Sequence, residues 1–558
     1  MPKCLICQSN FTIEPDDRIF YQKINVPEPV ECPACRQQLR LCWRCERSLH
    51  FRPCDLCGRQ HMSSYGAHTT FPVYCLDCWY GDSWNQLQNG RDFDFSRPFF
   101  EQWGELQKIS ARPSLFITQG TVFNSDYCNA VTAIKNCYLV FSAFECEDCY
   151  YSSFIRESYN LFDCTEVYSS ERCYDCINCD QCYGVIASDN CKVCRDSAFL
   201  WDCHGCSDCL LCTNLRNQKF CINNQQLTEA DYRAKRAQID LRSKTIYDQS
   251  TQKLKELKKQ AIHKYCQGFN NINCSGDYLT RCKNSKYAYD CFENEDCKYV
   301  TRLNSGKDCF DVDHFGSDGI ELVYYTASSG TRSFNNKFCN QVWSTVQNME
   351  YCDMCQNGSH DCFGCACLNK KQYCILNKQY SPEEYAKLKE KIIAHMRQTP
   401  YNGTGQAGEY GRFFPPHLSH VPYTDSFAQD YYPLTKEKAL KLGFRWEDDD
   451  SKYQPASCPL PDDLNEIKND ITKEILVCTN CGKNYKIISQ ELEFYKTLNL
   501  PLPDQCFNCR LLVRLARKNP RVLYDHTCSK CGKMLKTTYS PNRPEKVYCE
   551  ECYQKEIY

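Results

Sequence analysis

The sequence has no run of about eighteen apolar residues, so nothing in it predicts a membrane-spanning helix. Its opening, MPKCLICQSNFTIEPDD, lacks the basic stretch and apolar core of a secretory leader. Histidine (11) and methionine (6) are scarce. No His-Glu-x-x-His pair, Walker loop, Gly-x-Ser-x-Gly elbow or dinucleotide fingerprint occurs. These absences argue against the common hydrolase, NTPase and dehydrogenase classes and predict a chain that is not an enzyme. An excess of charge of one sign is missing too: 67 Lys and Arg face 69 Asp and Glu, a formal −2. A four-thiolate zinc site carries about −2 overall, so four of them would bring the chain to roughly −10. Binding of nucleic acid by bulk positive charge is thereby excluded.

What is abundant is cysteine, with 48 residues in 558. Without a leader, that abundance points to metal binding in a reducing, cytoplasmic setting rather than to a disulfide framework. The two ends carry the same series of pairs. Cys4/Cys7, Cys32/Cys35, Cys54/Cys57 and Cys75/Cys78 are answered by Cys478/Cys481, Cys506/Cys509, Cys528/Cys531 and Cys549/Cys552. The match extends past cysteine: FYQKINVPEPVECPACR (20–36) aligns with FYKTLNLPLPDQCFNCR (494–510), and VYCLDCW (73–79) with VYCEECY (547–553). The ends are an internal duplication. Two residues between cysteines let a tight turn aim both sulfurs at one ion, and two such turns complete the tetrahedral set that zinc prefers. The expectation is two zinc ribbons at each end and about four structural zinc ions, each contributing on the order of 10 kcal/mol to folding. Four thiolates also suit iron. A fifth pair, Cys42/Cys45, has Arg514 and Arg517 opposite it near the C-terminus. It could join His50, His61 or His68 at a metal, act as a redox pair, or simply pack.

The middle repeats every nine residues. One register runs through Cys128, Cys137, Cys146, Ile155, Cys164, Cys173, Cys182, Cys191, Leu200 and Cys209, and a second, three residues on, is again mostly cysteine and valine. Small apolar residues at a fixed short spacing predict a solenoid, with two nonamers per 18-residue turn and cysteines stacked in the core. Registers three apart do not share a strand face, so a corner must fall between them. A second stretch, Cys266 to Cys374, repeats less strictly. Both stretches end alike, LRNQKFCINNQQLTEADY (215–232) and LNKKQYCILNKQYSPEEY (368–385). Thr228 with Asp231, and Ser381 with Glu384, predict capped helices after each, the first reaching about His263. Packing is the first reading for the 29 cysteines between 128 and 374, with extra metal sites at 173/176/179/182 and 203/206/209/212, or redox thiols, as alternatives.

The predicted fold class is therefore mainly β with helical connectors, in which terminal zinc ribbons flank a central cysteine-rich β-solenoid-like repeat in two halves. The expected divisions are 1–88 (paired ribbons), 89–120 (helical connector, with Ser96 and Pro98 starting a helix), 121–226 (first repeat half), 227–265 (helical), 266–379 (second repeat half), 380–457 (helix and linker) and 458–558 (paired ribbons).

Several long segments carry a resemblance. GRDFDFSRPFFEQW, NCYLVF, YCILNKQYSPEEY, and FFPPHLS followed by PLTKEKALKLGF resemble the cysteine-rich zinc-ribbon proteins of candidate-phyla-radiation bacteria. CTNCGKNYKIISQELEFYKTLNLPLPDQCFNCR (478–510) is similar to a treble-clef or zinc-ribbon module. The resemblance implies that Cys478, Cys481, Cys506 and Cys509 bind zinc. It implies no activity and no small-molecule substrate.

The leading functional expectation is a zinc-binding scaffold or adaptor for other macromolecules. A second is nucleic-acid binding through the C-terminal end. Residues 471–558 hold 15 Lys and Arg against 9 Asp and Glu, and Arg510, Arg514, Arg517, Lys518 and Arg521 cluster between two metal sites. A third is thiol redox chemistry or metal buffering by the Cys-x-x-Cys clusters.

Overall fold

In the middle of the chain the backbone turns a corner every third residue. From Asn124 to Asn223 every third residue has a positive φ, as at Tyr151 (52°), Asp163 (53°) and Asn178 (53°), and about half of these are Asn, Asp or Gly. Those are the residues that tolerate the left-handed region best. The other two residues of each triplet have negative φ. Four such triplets make one layer, because strands pair in parallel with a constant twelve-residue offset: Asn129 with Phe141, Phe141 with Ser153, Ser207 with Lys219. Isolated bridges carry the same offset through Ser153–Thr165, Thr165–Ile177 and Ile177–Asp189.

The nine-residue register is thus three triplets of a three-residue repeat, and the expected 18-residue turn is corrected to twelve. The left-handed residue is the corner that the sequence required. It also explains why registers three apart are equally cysteine-rich: each triplet sends one residue inward. Cys128, Val131, Ile134, Cys137 and Val140, and onward through Cys212, are all buried in one continuous core. The inward thiols hydrogen bond between layers. Cys164 Sγ lies 3.4 Å from the carbonyls of Phe162 and Cys173, and Cys137, Cys164, Cys176 and Cys209 accept the N–H of Cys149, Cys176, Ser188 and Cys221, each twelve residues on. Inward serines do the same: Ser152 Oγ accepts from Cys164 N–H at 3.0 Å, and Ser188 Oγ from Leu200 N–H at 2.9 Å.

The structure, a computed structural model, describes residues 1–66, 69–302, 305–313, 319–328, 330–401, 408–449, 451–467 and 470–558. It forms two units that do not follow chain order. One holds Met1–Leu115 with Cys266–Asp448, the other Phe116–Tyr265 with Asp449–Tyr558. Each unit therefore combines one terminal cysteine module with one stretch of parallel layers.

In the second-named unit the layers run from Val122–Phe123 through Lys219–Ile222 and end in an antiparallel turn to Gln225–Gln226. Asn224 closes the stack by imitating a further layer. Its side chain accepts from Thr213 N–H (2.8 Å) and donates to Thr213 C=O (3.0 Å). Helices Glu229–Ala237 and Lys244–Gln260 follow, capped by Thr228 and Ser243. The single long helix expected to His263 is therefore two helices, because Asp240 and Ser243 start a new one. Aromatics on one side of the layers are covered: Phe162 stacks on Phe494 (3.6 Å between centroids), and Tyr174 meets Tyr495 and Tyr247.

In the other unit the offset drifts from twelve at Gly276–Ala288 to fourteen at Lys307–Glu321 and thirteen at Gln347–His360. These insertions are why its repeat reads loosely. It too closes with an asparagine, Asn377 on Ala366 (2.9 and 2.8 Å), and with a helix, Pro382–Gln398, capped by Ser381 and Glu384. The connector helix Phe99–Ile109 buries Phe99, Phe100 and Trp103. Ser96 does not cap it; its hydroxyl bonds Asp94. The free N–H groups of Phe99 and Phe100 are instead taken by the carboxylate of Glu409, at 2.8 and 3.1 Å. Among the described residues no helix is long and apolar enough to cross a membrane.

Candidate metal centres

Each terminal module is built from two copies of one device. A short hairpin presents the first cysteine pair, and the second pair sits at the start of a helix. Thus Cys528 and Cys531 lie between strands Tyr524–Thr527 and Met534–Thr537, while Cys549 precedes helix Glu550–Ile557 with Cys552 in its first turn. The hairpin tip is fixed by two backbone bonds, Cys528 N–H to Lys533 C=O and Gly532 N–H to Cys528 C=O, both 2.9 Å. The turn needs a positive φ, which Gly58, Gly482 and Gly532 supply (76°, 72° and 73°) and Gln8 adopts at 61°. The helices start at Pro33, Leu76, Phe507 and Glu550, each directly after a cysteine.

All sixteen predicted ligands come together as four quartets: Cys4/Cys7/Cys32/Cys35, Cys54/Cys57/Cys75/Cys78, Cys478/Cys481/Cys506/Cys509 and Cys528/Cys531/Cys549/Cys552, with sulfurs within 4.8 Å of one another. Four sulfurs each about 2.3 Å from a tetrahedral zinc lie about 3.8 Å apart. Cys7–Cys32, Cys481–Cys506 and Cys531–Cys549 are at 3.7 Å and Cys57–Cys75 at 3.9 Å. The residues fit zinc, and the four quartets are four structural zinc sites. Backbone amides favour the thiolate form needed for binding. For Cys528, burial pushes the thiol up, but the N–H groups of Cys549, Cys531 and Lys530 outweigh it and bring it down to about 6. Cys54 and Cys478 come down to about 7 by the same balance. Arg59 Nη2 on Cys75 Sγ (3.5 Å) and Asn480 Nδ2 on Cys509 Sγ (3.3 Å) add side-chain donors.

The fifth pair joins no quartet among the described residues. Cys42 and Cys45 are buried, Cys42 Sγ donates to Leu39 C=O at 3.1 Å, and burial raises both thiols, Cys45 to about 12. Their setting is that of packing. His61 Nδ1 lies 3.3 Å from Arg59 C=O, and His68 falls outside the described residues. Among the described residues the cysteines at 173/176/179/182 and 203/206/209/212 likewise form no group of three whose sulfurs all lie within 4.8 Å of one another; they belong to the layered core.

The basic cluster at the C-terminal end has a different position from the one expected. Arg514 is buried, with Nη1 2.9 Å from Asp163 and Nε 3.1 Å from Thr165 Oγ1. Arg510 pairs with Asp163 and Glu491 (both 3.1 Å), Arg517 with Asp175 (2.9 Å) and Asp189 (3.3 Å), and Lys518 with Glu166. Four of the five cations thus fasten helix Phe507–Leu515 to the layers of their own unit, where the carboxylates compete with any phosphate; Arg521 is half-buried. The reason lies in the triplets. Asp163 and Asp175 are corner residues, where Asp is favoured by its backbone and its carboxylate is left pointing out.

The same docking recurs in the other unit. The modules align without a gap, each residue from Cys4 to Cys78 having its counterpart 474 positions on, so Cys42 and Cys45 stand opposite Ala516 and Asn519 and not, as expected, opposite Arg514 and Arg517. Arg36 and Arg40, the counterparts of Arg510 and Arg514, pair with buried Asp311 (2.7 Å) and Asp313. Sequence reading missed these acidic partners; the signal was Asp at corner positions, invisible until the three-residue period is recognised.

Residues 521–557 match the family model of a probable treble clef zinc finger, in keeping with the hairpin-plus-helix geometry. No curated protein and no solved structure matches the chain.

Proposed function

We propose that the chain is a zinc-stabilised, non-enzymatic scaffold in the cytoplasm, akin to the cysteine-rich zinc-ribbon proteins it resembles. In this reading the twelve-residue layers are β-solenoids, and zinc modules brace them. The observation that carries the reading is the unequal treatment of the faces in the unit formed by 116–265 and 449–558. The side through Tyr150, Phe162 and Tyr174 is covered by its own module. The sides through Phe144, Tyr159 and Val193 leave these residues 37%, 50% and 53% exposed. Stacked layers give such a face regular spacing and rigidity, which suits a binding platform.

The nucleic-acid reading is less favoured, since the cations that suggested it are engaged by carboxylates. Redox chemistry is less favoured too, since the core thiols are buried; burial raises many of them, Cys212 to about 12, although at Cys352 burial is outweighed by bonds from Cys355 and Cys365, which bring it down to about 6.

The test is the mass of the complex isolated gently from native cells. A scaffold elutes with a stoichiometric macromolecular partner, and Tyr159→Ala with Phe144→Ala releases it while zinc content is unchanged. A chain that elutes alone at 65.2 kDa under these conditions sinks the proposal.

A further inference from the structure

The two zinc sites of each module are not equivalent. In the first sites the last ligand is buried, Cys35 at 6% and Cys509 at 5% exposed. Their helices are nine residues long and pinned by buried arginines to the layers. In the second sites the last ligands, Cys78 and Cys552, are half-exposed, in addition to the second knuckle cysteine, which is exposed at all four sites (Cys7, Cys57, Cys481 and Cys531). Water, chelators and competing thiols reach two sulfurs at each of these sites.

The second sites also hold something that the first do not. Directly before Cys75 runs strand Val73–Tyr74, and directly before Cys549 runs Lys546–Tyr548. The zinc knuckle grips each strand on one side, Asp55 N–H bonding Val73 C=O (3.0 Å) and Ser529 N–H bonding Val547 C=O (2.8 Å), as Leu5 N–H bonds Val30 C=O (3.1 Å) and Thr479 N–H bonds Asp504 C=O (3.0 Å) at the first sites; what the second sites add is the strand pairing beyond it. Each strand grips another segment on its other side. Val73–Tyr74 pairs in parallel with Arg112–Pro113, and Lys546–Tyr548 with Ile262–Lys264. Ser114 N–H bonds Tyr74 C=O and Tyr265 N–H bonds Tyr548 C=O, both 2.9 Å. These gripped segments are where the chain leaves each unit, since the unit boundaries fall after Leu115 and Tyr265. The arrangement is repeated in both modules, so it is a property of the duplicated device.

We propose that the second zinc site of each module (Cys54/Cys57/Cys75/Cys78 and Cys528/Cys531/Cys549/Cys552) is an exchangeable zinc site that acts as a clasp on the exit segment of its unit. With zinc bound, knuckle, strand and exit segment form one hydrogen-bonded series. When zinc leaves, the knuckle loses its cross-link and its contribution to folding, and the exit segment is freed while the layers stay intact. The chain thus responds to the availability of zinc at two of its four sites. This goes beyond the scaffold reading and does not depend on any partner.

The experiment uses the full zinc-loaded chain and a chromogenic chelator, with amide exchange read by mass spectrometry at each stage. Two zinc ions leave first, about tenfold faster or more than the other two. With them, protection is lost at 112–114 and 263–265, while the amides of 137–212 stay protected. Cys78→Ser and Cys552→Ser each lower zinc content by one and deprotect only the exit segment of their own unit. Release of all four ions in one phase overturns the proposal. So does loss of two ions with 112–114 and 263–265 still protected.

Discussion

Inside the layers a cysteine is both a filler and a hydrogen-bonding group. Cys164 occupies a site with no exposure, directs its thiol at two carbonyls, and accepts the N–H of Cys176 one layer on. Serine meets the same demand at Ser152, Ser170 and Ser188, whereas alanine is the right size but offers no acceptor. Cys164→Ser is therefore expected to cost about 1 kcal/mol or less, and Cys164→Ala about 1–3 kcal/mol through the orphaned N–H and the void. The direct readout is amide exchange at Cys176: faster in the alanine variant, unchanged in the serine variant. Equal exchange in the two would show that the thiol only fills space. Size and apolarity were legible from the sequence, and they gave the packing reading. The acceptor role was not, because it depends on which atom lies one layer away, and the layer length was hidden by the alias between three and nine.

At the scale of elements, the parts of the fold written in local sequence were readable, and the parts supplied from far along the chain were not. Ser381 and Glu384 cap their helix as their spacing implies. The Phe99–Ile109 helix looked as though Ser96 would cap it, yet its cap is Glu409, three hundred residues away in sequence and in the same unit. Burial raises the Glu409 carboxyl from 4.5 to about 7, against the lowering effect of the two amides it accepts. The sign follows from linkage. A carboxyl whose folded value lies above its unfolded value adds stability at low pH and loses it as pH rises through about 7. Ionisation of Glu409 thus costs this unit up to about 3 kcal/mol between pH 5 and 7.5. Glu409→Gln has no such dependence, so the variant gains on the wild type over that range. Urea unfolding of both proteins at pH 5 and pH 7.5 measures it. A difference that stays constant or moves the other way would mean that the carboxylate is stabilised where it sits.

For the whole molecule, cysteine serves two separate chemistries, and they predict different accessibility. Sixteen of the 48 cysteines are zinc ligands, gathered in four quartets at the two ends. That division was legible from spacing alone, since Cys-x-x-Cys repeated at matching intervals has few other uses. The assembly of each end module with one stretch of layers was not, because it rests on Arg36 and Arg40 meeting Asp311 and Asp313, and Arg510 and Arg514 meeting Asp163, across hundreds of residues. Nearly all of the remaining thiols are buried; Cys274 and Cys458 are half-exposed. Burial holds Cys282 at about 11 and Cys367 at about 12, so at neutral pH they are protonated and poor nucleophiles. Titration with a thiol reagent is therefore expected to proceed in three stages. The zinc-loaded chain reacts quickly at Cys274 and Cys458 at most. A chelator exposes up to the sixteen ligands, those of the second sites first. Denaturant is needed for the core. A burst of many thiols from the intact, zinc-loaded chain would instead mean that the layered core opens to solvent, and would return the redox reading to first place.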